Sequence, residues 1–204
     1  MRQDVGDTGG NRMSLLDEAL QAPGCVLSVI GSHAGEQAAA IFGRKIADCG
    51  AVGRTFWVAR SPVAQPLQVQ HLCAAGGAYV VFVEPSSVRG ARPTMEAECA
   101  REYSPDRVSW LSLPSRLGPV TGKMDRGATA LVLGDLCVDV RGVVDLWEYV
   151  NWSDPTLPVK FTLGVSTACV RRADAAPTDG RMKSRWRPVV AVARLLEPYC
   201  VWVR

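Results

Sequence analysis

The chain has 204 residues, 48% of them hydrophobic and 21% charged, with a formal net charge of +3 and a pI near 8.5. That size and apolar content suffice for a core without metal or disulfide staples, and the mild basicity is far from that of a dedicated nucleic-acid binder while leaving room for a phosphate-bearing partner. Seven scattered cysteines, with no C-x-x-C and no H-x-x-x-H, argue against structural zinc and against a secreted disulfide framework, so free thiols and a cytoplasmic location are expected.

Residues 1–12 read as a solvated, disordered lead without the apolar stretch of a signal peptide. No apolar run reaches the ~18 residues of a membrane span, so a soluble chain with no membrane partner is expected. Ser14 is placed to cap a short helix over 14–21, with Leu15, Leu16 and Leu20 inward. An apolar, β-rich run follows at 25–30. The pattern over 34–48 predicts a helix with Ala38, Phe42 and Ile46 on its inner face and Ala39 beside it, stopped at Gly50. A strand at 54–59, a helix at 66–77 ended by Gly76-Gly77, and a strand at 78–84 complete the first half.

Runs that are apolar on both faces and alternate with helices predict parallel strands covered on both sides. Residues 13–90 are therefore expected to form a Rossmann-like, three-layer, mostly parallel βαβαβ half. Residues 91–127 form a proline-rich, irregular connection, with a helix expected at 94–103. Residues 128–204 read as β-rich and largely antiparallel, on the same sheet or as a second small domain. Gly134-Asp135 signals a two-residue hairpin, and Val143, Leu146, Trp147 and Val150 have helical spacing. Strands are expected at 159–170, 188–195 and 199–204.

Ligands of open parallel sheets bind beyond the carboxyl ends of the strands. Those ends carry Gly31, Ser32, His33 and Gly35 after the first strand, Arg60 and Ser61 after the second, and Glu84, Ser86 and Ser87 after the third. Backbone amides at Gly31 and Gly35, aided by a helix N-terminus, suit an anion. Arg60 suits a phosphate or carboxylate; Ser32, Ser61 and Ser86 supply hydroxyls. His33 and Glu84 are the candidate catalytic groups. "GSHAGE" matches neither established phosphate fingerprint, so no cofactor is specified and the chain is not committed to being an enzyme. "GVSTAC" at 164–169 lacks the strand–turn–helix setting of a nucleophile elbow and reads as plain strand.

A second signal lies at 171–187, where Arg171, Arg172, Arg181, Lys183, Arg185 and Arg187 surround Trp186. A basic loop with an indole is suited to a phosphate backbone and a stacked base. Three functions follow. The first is binding of a small phosphorylated or nucleotide-like ligand at the strand edge. The alternatives are a nucleic-acid-binding module using Arg181, Lys183, Arg185, Trp186 and Arg187, and a non-catalytic homo-oligomeric interaction protein. No metal site is expected.

Overall fold

A computed structural model describes residues 13–30, 38–58, 66–84, 110–112, 128–138, 140–159, 167–174 and 185–203. Its elements are α1 (Leu15–Gln21), β1 (Gly24–Val29), α2 (Ala38–Val52), β2 (Thr55–Val58), α3 (Pro66–Ala74), β3 (Tyr79–Val83), β4 (Trp110–Ser112), β5 (Ala128–Val138), β6 (Val143–Asp145), β7 (Tyr149–Asn151), β8 (Thr167–Arg172) and β9 (Trp186–Val203). A single 3-10 turn, Leu146–Glu148, joins β6 to β7 where the apolar spacing predicts an α-helix. The helix expected at 94–103 lies outside the described residues.

The sequence explains α1 directly. Ser14 Oγ accepts the Asp17 N–H at 3.1 Å, and Asp17 Oδ2 accepts the Ser14 N–H at 3.2 Å, a reciprocal cap on the exposed first turn. Leu16 and Ala19 are buried. In α2 the buried positions are Ile41, Phe42 and Lys45, with Ala38 packed beside them, so the inner face is rotated from the expected one and Ile46 is 38% exposed. Lys45 can lie inward because its stem is apolar and its ammonium donates to the Phe56 carbonyl, 5.3 Å from the centre of the Trp57 ring.

The strands form one mixed sheet in the order β2-β5-β9-β3-β1-β8-β7, with β4 and β6 also paired to β9. Both halves of the chain thus contribute to the same sheet. β1 and β3 are parallel neighbours, Val26 opposite Val80. The other described pairings are antiparallel, so the mostly parallel βαβαβ order is not what the chain adopts. β8 occupies the free side of β1 and β9 that of β3, which leaves no place there for β2; it pairs instead with β5.

The hairpin expected at Gly134-Asp135 is also replaced. β5 runs on as a single strand because β9, 18 residues long, offers a partner along its length. The turn signal becomes an irregularity between Gly134 and Cys137, where Asp135 takes φ 47°, a conformation an Asp tolerates better than most residues. The two strands expected at 188–195 and 199–204 are likewise one element, β9.

Both sheet faces are covered. Val26, Val80, Phe82, Ala191 and Ala193 pack with Ile41 and Phe42 of α2 and Val69 and Leu72 of α3. Trp57 closes this side, 4.5 Å from Phe82 and 5.9 Å from Phe42 between ring centres. On the other face Leu27, Val29, Val81, Val83 and Val170 pack with Leu16 and Ala19 of α1 and with Val144, Leu146 and Tyr149. Two-sided burial is why the strands read as continuous apolar runs rather than alternating ones.

Gly24 tests the β1–β8 contact. A Cβ there would stand 2.3 Å from the Val170 carbonyl oxygen, a backbone atom fixed by the ladder. Gly24→Ala is expected to lower the unfolding free energy by ~2–3 kcal/mol, read as a lower urea midpoint at unchanged slope.

Candidate functional site

The carboxyl ends of β1 and β3 are held level by the backbone: the Ile30 N–H donates to the Val83 carbonyl at 2.9 Å and the Glu84 N–H to the Pro188 carbonyl at 3.0 Å. β9 enters the sheet beside this edge. Side chains alternate along a strand, so Arg187 points to the same side as Val189, and it lies opposite Val144 of β6. Val144 and Val189 belong to the core on the α1 side. Arg187 therefore points inward, and it is 9% exposed.

Among the described residues its guanidinium makes one hydrogen bond, from Nη1 to the Glu84 carbonyl at 3.1 Å, and its buried Nε has no partner. Among the described residues no carboxylate pairs with it. Burial holds its pKa below the ordinary arginine value, and the group nonetheless stays charged. A buried cation with no counter-charge and with a buried N–H left unpartnered is unfavourable in isolation.

Arg185, two residues earlier, is the opposite case. Its Nε lies 2.8 Å from each oxygen of the buried Asp145 carboxylate and its Nη2 2.5 Å from Oδ2. The guanidinium carbon lies 4.6 Å from the Trp147 ring centre and 4.7 Å from that of Trp186. Hydrogen bonding from Arg185 pulls the Asp145 pKa below its ordinary value, against the effect of burial, with help from the Trp147 N–H at 3.0 Å. This cluster fastens β6 to the start of β9, and the Leu146 N–H to Arg185 carbonyl bond at 3.0 Å reinforces it.

Of the residues singled out by sequence, Gly31, Ser32, His33, Gly35, Arg60, Ser61, Ser86, Arg181 and Lys183 lie outside the described residues. Glu84 is at the edge and exposed, with its backbone engaged by Pro188 and Arg187. β5 and β9 stand between β2 and β3, so the end of β2, which precedes Arg60 and Ser61, is not adjacent to the ends of β1 and β3. The described part of the basic stretch is largely engaged internally. Arg172 lies 3.5 Å from Glu148, donates to the Leu20 carbonyl and covers the Tyr149 ring at 5.9 Å. Trp186 remains 57% exposed.

No group of three or more His, Cys, Asp or Glu that could hold a metal ion occurs among the described residues. Burial pushes the Cys25, Cys73 and Cys200 thiols up to about 12, which removes them as nucleophiles near neutral pH. What the described geometry leaves open at this edge is one buried cation short of a counter-charge and of an acceptor for its Nε. The sequence suggests a basic loop at 187 with a strand from 188; in the structure the strand starts at Trp186, and its alternation puts Arg187 on the same side as Val189.

The two arginines give contrasting expectations. Because the folded pKa of Asp145 is lowered, its contribution is complete above the unfolded carboxylate pKa of about 3.9 and is lost as pH falls through the lower folded value. Asp145→Asn is expected to destabilise the chain at neutral pH and to flatten the acid limb of a thermal-melt series relative to wild type. Arg187→Met removes an uncompensated buried charge but keeps much of the side-chain volume. Its unfolding free energy, by chemical denaturation, is expected to fall within ~1 kcal/mol of wild type or above it.

No protein-family model, curated protein or solved structure matches the chain.

Proposed function

We propose that the chain binds a small phosphorylated or nucleotide-like anion at the carboxyl edge of β1 and β3, with Arg187 as its cation. The observation that carries this is the state of Arg187: 9% exposed, bonded once to the end of β3, and without a counter-charge among the described residues. An incoming oxyanion would supply both the missing charge and the missing acceptors. The parallel pairing of β1 and β3 supports the location, because parallel neighbours bring their carboxyl ends to one edge. To Gly31, Ser32, Gly35 and Ser86 we assign the remaining ligand contacts, and to His33 and Glu84 any proton transfer.

A nucleic-acid surface over 171–187 has less support. Arg185 is neutralised by Asp145, Arg172 stands beside Glu148, and Arg187 is turned inward.

Thermal unfolding with inorganic phosphate, nucleoside mono- and triphosphates and a single-stranded oligonucleotide, at low and moderate salt, separates these functions. A ligand at ~100 times its dissociation constant adds about 2.7 kcal/mol, which for this chain length is a rise of roughly 5–10 °C. That rise is expected with a small anion for wild type and is expected to vanish in Arg187→Met. A shift seen with the oligonucleotide alone, and lost as salt rises, would reject the edge site in favour of the basic stretch.

A further inference from the structure

We infer that Arg187 grips its ligand side-on through Nε and Nη2 and so selects a terminal oxyanion, a phosphomonoester or carboxylate end group, over an internal phosphodiester; this rests on the anion-binding function proposed above. Nη1 is committed to the Glu84 carbonyl at 3.1 Å, which ties the guanidinium to the end of β3. Among the described residues Arg187 makes no other hydrogen bond, and its buried Nε is unpartnered. What remains is the Nε–Nη2 edge, whose two roughly parallel N–H groups match two oxygens of a single oxyanion.

Access decides between the classes of oxyanion. Nε is buried, and Arg187 as a whole is 9% exposed, with Val144 opposite it across the β6–β9 ladder and β9 continuing from it to Val189 and beyond. A terminal group carries one substituent and enters end-on. An internal phosphodiester carries two, which must leave in different directions along an open groove, and a side chain turned inward from a strand flanked by a second strand does not sit on such a groove. A continuous polynucleotide is therefore excluded from this cation, whereas a mononucleotide, a sugar phosphate or a small carboxylic acid is admitted.

The test is isothermal titration of the full chain, at one fixed low ionic strength, with inorganic phosphate, acetate, a 5′-mononucleotide and a dinucleoside monophosphate whose single phosphate is an internal diester. Wild type, Arg187→Lys and Arg187→Met are compared, and circular dichroism checks that each is folded. Wild type is expected to bind the mononucleotide and at least one of phosphate and acetate, the tighter of these naming the end group. The diester is expected to bind about tenfold more weakly or worse. Arg187→Lys keeps the charge but lacks the two-pronged edge; losing one charge-assisted hydrogen bond corresponds to about tenfold in affinity or more. If the diester, or Arg187→Lys with the mononucleotide, comes within about twofold of wild type with the mononucleotide, side-on selection is overturned while the edge site stands. If wild type binds none of the end-group probes, the edge site falls with it.

Discussion

The fold depends on β9. This one strand pairs with β3, β4, β5 and β6, and so joins the parallel β1–β3 pair to the β5–β2 side of the sheet. A strand of 18 residues rarely keeps a regular ladder along its whole length. Here it is relieved by shifts in register against β3 and β5, and by the left-handed backbone of Tyr199 at φ 64°. The same strand ties down α1: Arg194 reaches Glu18 at 2.5 Å and Asp135 at 3.3 Å, and its guanidinium covers the Tyr79 ring at 5.4 Å. These contacts bring a helix, two neighbouring strands and the β5 irregularity together at one side chain.

At the other end of β9, Arg187 is its second residue and Arg185 stands just before its first, and the two have opposite fates. Arg185 has a buried carboxylate and two indoles; Arg187 has a single carbonyl. Only Trp186 stands between them, so neither local charge density nor helix or strand propensity distinguishes them. The difference is made by β6, which brings Asp145 to Arg185 and only Val144 opposite Arg187. Among the described residues nothing compensates the charge of Arg187, and departures of this kind from local consistency are what selection for function, rather than for stability, can maintain.

Much of the architecture was legible in the residues. The Ser14 cap, the helices near 38–52 and 66–74, and strands at β1, β2 and β3 follow from period and capping alone. Their neighbours were not legible, because adjacency is decided by which distant strand fills each free edge. β8 and β9 come from more than 80 residues further along the chain than β3, and no local signal announces that they claim the flanks of β1 and β3. The misreading at Gly134-Asp135 has the same origin: a turn-favouring pair remains inside a strand when a long enough partner lies alongside. The inner face of α2 was misjudged for a chemical reason, since a lysine counts as polar in any periodicity argument although most of its side chain is hydrocarbon. The candidate site was legible only as an edge; its described cation needed the register of β6 on β9.

Lys45 has a consequence for how the molecule meets copies of itself. β2 is one end of the described strand order and is four residues long. The terminal strand of a sheet ordinarily offers a row of amides and carbonyls to any passing chain. In β2 the Phe56 carbonyl already receives the Lys45 ammonium, and that lysine is 3% exposed. A second chain seeking to extend the sheet on this side would meet a short template with one acceptor already occupied, and with a positive charge locked behind it that cannot swing away without opening the contact of α2 with Trp57. The residue that departs from the periodicity of the helix thus also takes up one of the few backbone acceptors of a terminal strand.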